Sequence, residues 1–219
     1  MMSRLDTYST NLHMYRTLAG LGLICGLIIV IVYQFTQPLI LNNKIIAQQN
    51  AINQLFPGTV NVQEIRLDES KGNKPFVVFK VSDEKQNMLG FAIPAQGMGY
   101  QDNIALLYGY RMDLQQLVGI IILESRETPG LGSRIETDLA FLKNFISLDV
   151  SLSSDLDQLQ NKLRYVKSGN KKLPGEIDGI SGASVSSKAV VDILQKSLNY
   201  SLPIIHQHKK ELQFGPQAH

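Results

Sequence analysis

With 219 residues, 44% of them hydrophobic, the chain has room for one globular domain and an appendage. Its formal charge is +2, and Arg4, Arg16 and Asp6 together supply +1 of that, so the remainder carries no electrostatic footprint for nucleic acid. A single cysteine, Cys25, excludes a disulfide within the chain and any cysteine-ligated zinc or iron–sulfur site built by one copy.

The first element is apolar. From Thr17 to Phe35 the sequence TLAGLGLICGLIIVIVYQF runs nineteen residues without a charge, and about 20 such residues cross the hydrocarbon core of a bilayer. A cleaved signal peptide has a shorter apolar core and a small-residue cleavage site. Here Gln37-Pro38-Leu39-Ile40-Leu41 follows with no A-x-A pattern, so 17–36 reads as an uncleaved transmembrane helix. Arg4 and Arg16 precede the span, whereas the first charge beyond it is Lys44. The positive-inside rule then puts residues 1–16 in the cytoplasm and the rest on the outer, periplasmic side of the inner (cytoplasmic) membrane. Tyr15 and Tyr33 stand where interfacial aromatics belong, and Cys25 reads as a small lipid- or helix-facing residue.

Leu41, Ile45, Ile52 and Leu55 recur at roughly helical spacing, so 37–57 reads as a juxtamembrane helix or linker ending at Pro57-Gly58. A folded domain is expected over 58–205, with a polar tail at 206–219. Runs of strand length follow one another: Pro75–Val81, Met88–Ile93, Ile104–Tyr110 and Leu117–Leu123, with turns at Asp83–Asn87 and Gly97–Tyr100. Helices are expected at Ile135–Phe145 and Val185–Leu198, the second from the spacing of Val190, Leu194 and Leu198. The fold class is therefore α+β: one N-terminal transmembrane helix, then a mixed, largely antiparallel sheet with covering helices. The basic stretch Lys162–Lys172 reads as a solvated hairpin, and no internal repeat occurs.

The chain is poor in groups that perform chemistry themselves. Histidines stand only at 13, 206, 208 and 219, so a serine–histidine–acid triad has no base inside the domain and histidine metal sites lack their ligand. Such poverty fits a protein whose cofactor supplies the reactivity. Two stretches suit a cofactor. Glu127-Thr128-Pro129-Gly130-Leu131-Gly132 follows a strand, and its proline and glycines allow close backbone approach to a flat ring, although such a loop also serves as a plain tight turn. Asp178-Gly179-Ile180-Ser181-Gly182-Ala183-Ser184 leads small residues into a hydroxyl at a helix start, where backbone N–H groups and the helix dipole favour a phosphate. Ser181, Ser184 and Ser186 each also suit an ordinary N-cap.

The two motifs, in this order and behind one transmembrane segment, resemble the FMN-binding subunits of two related membrane redox complexes. These are the G subunit of the Rnf ferredoxin:NAD oxidoreductase and the C subunit of the sodium-translocating NADH:quinone reductase. The resemblance implies covalent FMN, attached by a flavin transferase through its phosphate to Ser184. Asp178 and the Ser181-Gly182-Ala183 turn would form the recognition sequence. The family's usual acceptor is threonine, and serine offers the same Oγ without the methyl; a shifted register would bring in Ser186 or Ser187. The resemblance also implies that 127–132 lies along the isoalloxazine, with Glu127 and Thr128 as polar contacts and Leu131 as an apolar one. Lys188, one helical turn beyond Ser184, would place a positive charge near the phosphate.

The compact spacing between anchor and flavin motif favours the Rnf member: an electron-transfer subunit within an ion-translocating complex, contacting its other membrane and peripheral subunits. The rival readings are the corresponding quinone-reductase component, a flavin-free assembly module, and a serine hydrolase with Lys188 as base.

Overall fold

A computed structural model of the chain describes residues 3–67, 76–155 and 158–208, with backbone alone for 3–12. The expected strand residue Pro75 and residues 209–219 of the tail expected at 206–219 lie outside the described residues, whereas His206 and Gln207 belong to the last helix. The chain divides into two compact units, residues 1–46 and 47–219.

Helix α1 is Ser3–Leu55, 53 residues including Pro38; it makes up the described residues of the first unit and its last nine residues belong to the second. An 18-residue window within His13–Leu55 has a mean hydropathy of 2.4, and none of it is buried. The hydroxyls in this stretch turn back onto the helix. Thr17 Oγ1 donates to the His13 carbonyl at 3.0 Å, and Thr36 Oγ1 to the Val32 carbonyl at 2.9 Å. Such back-bonding satisfies a polar group where no water is available.

The second unit is built on a six-stranded antiparallel meander. Its strands are β1 Asn61–Leu67, β2 Phe76–Ser82, β3 Met88–Met98, β4 Asn103–Arg111, β5 Gln116–Glu124 and β6 Leu148–Asp149, in spatial order 1-2-3-4-5-6. Period-two alternation in β4 sorts its residues by face. Ile104, Leu106, Tyr108 and Tyr110 belong to the main core, while Leu107 belongs to a smaller cluster behind the sheet. Helix α3, Ser184–Gln207, covers the main face with Val190, Val191, Leu194, Leu198 and Leu202. The opposite face is covered by the last turns of α1 and the residue after them, where Ala51, Ile52, Leu55 and Phe56 meet Val81, Ala92 and Leu107. Two strand glycines make this packing possible: a Cβ on Gly90 would lie 2.7 Å from the Phe56 ring, and one on Gly109 3.0 Å from it.

The four expected strands are present, with β1 and β6 in addition. Two expectations need correction. The helix expected at Ile135–Phe145 is broken into a 3-10 helix, Gly132–Glu136, and a short α2, Leu139–Lys143, because Asp138 caps α2 by accepting from Phe141 N at 3.1 Å. The Lys162–Lys172 stretch is not a hairpin. Strand β7, Arg164–Val166, pairs in parallel with β8, Glu176–Asp178, so the basic residues flank a crossover rather than a two-strand turn.

Candidate functional site

The two motifs meet at the start of α3. The DGISGAS stretch leaves β8 at Asp178 and forms a turn closed by Ala183 N donating to the Ile180 carbonyl at 3.0 Å. Gly182 has φ +85, a left-handed conformation that glycine adopts without steric cost. The N-cap position is Ala183, which has no side-chain acceptor, and the first intrahelical bond runs from Ser187 N to the Ala183 carbonyl at 2.9 Å. The N–H groups of Ser184, Val185 and Ser186 therefore precede the helical ladder. None of Ser181, Ser184 or Ser186 caps the helix, contrary to the capping expectation.

Burial separates the serines. Ser181 and Ser184 are exposed, whereas Ser186 is 3% and Ser187 0% exposed. Both buried hydroxyls are engaged: Ser187 Oγ accepts from Ile180 N at 3.2 Å, and Ser186 Oγ donates to Glu127 Oε2 at 2.5 Å. Glu127, itself 5% exposed, uses its other oxygen to accept from Tyr100 N at 2.9 Å and Gln101 N at 3.1 Å. Its carboxylate is walled by glycines. A Cβ on Gly132 would lie 2.7 Å from both Glu127 Oε2 and Ser186 Oγ, and one on Gly99 would strike Glu127 Oε1.

Beyond Glu127 the loop turns outward. Thr128 is half-buried, with Oγ1 3.4 Å from Gln101 Oε1, while Pro129 and Gly130 are exposed and Gly130 has φ +73. Leu131 is 53% exposed, and its Cδ2 lies 3.9 Å from where a Cβ on Gly182 would stand, so this apolar side chain neighbours the turn that leads into α3. Arg134 was not singled out from sequence, although a basic residue two places after a glycine loop was the available signal. Its Nη1 donates to the Ser181 carbonyl at 3.0 Å and its Nη2 pairs with Asp138 at 2.8 Å. Asp178 turns away from the helix start: its Oδ1 accepts from Asn170 N and Lys171 N, both at 3.1 Å. Lys188 is exposed on the wall of a groove of about 610 Å³ between β3 and α3, which Gly97, Met98, Gly99, Val185 and Asp192 also line.

The FMN-binding domain family matches residues 99–199, a span that holds both loops and most of α3. Over that span the chain is similar to the FMN-binding domain family, and among the described residues one N-terminal helix is long and apolar enough to cross a membrane. In sequence the chain is similar to the G subunits of ion-translocating oxidoreductase complexes. It is 27% identical to the one from Methanosarcina acetivorans over 84% of this chain and 90% of the relative. The one from Shewanella piezotolerans is 26% identical, over 90% of each chain. The C subunit of the Na+-translocating NADH-quinone reductase from Parabacteroides distasonis has a similar fold, with a TM-score of 0.52 at 20% identity, covering 67% of this chain and 78% of that one.

Proposed function

We propose that the protein is a membrane-anchored flavoprotein electron carrier of an Rnf-type complex, with FMN joined through its phosphate to Ser184. The observation that carries the reading is the accessibility of one hydroxyl. Ser184 is exposed at a helix start with no side-chain cap, whereas Ser186 and Ser187 are buried and bonded. The residues present suit the group: the N–H groups of the first turn and the Arg134 guanidinium favour a phosphodiester, and exposed Leu131 beside Gly182 offers apolar surface to a ring. FMN, when bound, supplies the electron chemistry; the chain holds the phosphate, orients the ring with Thr128 and Leu131, and anchors both to the membrane.

Attachment forms a P–Oγ bond and releases the Ser184 hydroxyl proton to water. A phosphomonoester is not activated for this step, so the donor is a flavin nucleotide whose phosphoanhydride breaks, its nucleoside monophosphate departing. A flavin transferase is the catalyst this requires, since among the described residues no histidine lies near Ser184 to serve as base. Arg4 and Arg16 ahead of the span support a cytoplasmic N-terminus and a flavin domain on the outer side, where a covalent bond prevents loss of a cofactor that is not made there. The G-subunit relatives, matched along most of their length, support membership of an Rnf-type complex and contacts with its other subunits.

The test is co-expression with a flavin transferase followed by a denaturing gel under ultraviolet light. A fluorescent band that Ser184→Ala removes is expected; a wild-type band without fluorescence would sink covalent attachment.

A further inference from the structure

Glu127 opens the ETPGLG motif, yet neither of its oxygens is available to a ligand. Both are occupied, by Tyr100 N, Gln101 N and Ser186 Oγ, and glycines 99 and 132 close around them. Ser186 lies two residues after Ser184, in the first turn of α3. One carboxylate thus fastens three segments together: the turn at 99–102, the loop that follows β5 at 127, and the helix start that carries the acceptor hydroxyl. We infer that Glu127 is a positioning residue that fixes Ser184 for flavin attachment by gripping Ser186, and that it does not contact the flavin.

The inference rests on attachment at Ser184, and it is distinguishable from a flavin-contact role by chemistry. A glutamine at 127 keeps all three segments tied: its carbonyl oxygen accepts the two backbone N–H groups, and its amide donates to Ser186 Oγ in a reversed bond that leaves the serine proton to turn to a carbonyl of its own helix. It removes the charge while keeping the grip. A group that merely positions tolerates that exchange, whereas a carboxylate against the isoalloxazine does not. An alanine at 127 leaves Ser186 and two backbone donors without their acceptor and lets the first turn shift; displacements on this scale cost up to about a hundredfold in group-transfer steps.

The experiment uses the full-length chain co-expressed with a flavin transferase, reading attachment at Ser184 by peptide mass spectrometry, the flavin absorption spectrum, and the melting temperature. Glu127→Ala and Ser186→Ala should each slow attachment about tenfold or more, while Glu127→Gln attaches at the wild-type rate with an unchanged spectrum. Should Glu127→Ala fail to fold, the Ser186→Ala and Glu127→Gln pair carries the test. Wild-type attachment in Ser186→Ala, or a displaced flavin spectrum in Glu127→Gln, overturns the inference. A wild-type chain without flavin on Ser184 would instead defeat the attachment reading on which it rests.

Discussion

Three serines stand within four residues at the start of α3, and each has a different neighbour. Ser187 accepts from the Ile180 N–H, Ser186 donates a hydrogen bond to Glu127, and Ser184 faces solvent. Sequence alone located this cluster and the glycine loop that meets it, because small residues before a helical pattern have few other uses. It could not separate the serines, since burial comes from Glu127, some sixty positions away in the chain. For the same reason the bond between Ser186 and Glu127 was not legible. Ser187→Ala is predicted to strand the buried Ile180 N–H at a cost of about 1–3 kcal/mol, lowering the melting temperature while flavin still attaches at Ser184. Gly132→Ala should cost about 1–3 kcal/mol by overpacking, because its Cβ would meet two buried, mutually bonded oxygens at 2.7 Å; a melt and an attachment assay on the same sample would check it.

At the scale of elements, α3 is held to the sheet by more than its apolar face. Tyr108 Oη lies 2.9 Å from Ser197 Oγ and 2.8 Å from Ser201 Oγ, joining β4 to α3 in the core, and Tyr110 Oη lies 2.8 Å from His206 Nε2 near the helix end. Burial pushes the Tyr108 hydroxyl up from 10.0 to about 12, and raises Tyr110 as well. The unfolded chain loses these protons first, so stability is intact below pH 10 and falls as the pH rises from there towards 12. Tyr108→Phe should lower stability by about 1–3 kcal/mol at neutral pH, by leaving the buried Ser201 hydroxyl a partner short, and should flatten part of that alkaline fall in a pH series of melts. Such ties were invisible in the sequence, where Tyr108 is one more residue in an apolar run. Strands β2 to β5 were legible because each is an apolar run of strand length bounded by turn residues. The parallel β7–β8 pair was not, because three-residue strands carry too little pattern to distinguish a crossover from a hairpin.

At the scale of the whole molecule, the apolar span read directly from composition, but the role of the turns that follow it did not. Ala51, Ile52, Leu55 and Phe56 are buried behind the sheet and belong to the unit that begins at Ala47. A chain starting at Ala47 is therefore predicted to be soluble and cooperatively folded. One starting at Gly58 loses four core side chains, each large one worth about 1.5–3 kcal/mol, and should melt more than about 10 °C lower or precipitate; scanning calorimetry of the two fragments checks this. The alanine at the cap position of α3 reaches further still. A newly made chain would hold its first-turn N–H groups against water alone, whereas a matured one would offer them a fixed anion, worth about 0.3–1 kcal/mol from the helix dipole. The finished protein should then melt about 1–4 °C higher than the bare one and resist proteolysis longer. Proteases that sample opened chains would clear unfinished copies first, so the membrane would enrich itself in coloured, working subunits without any dedicated sorting step.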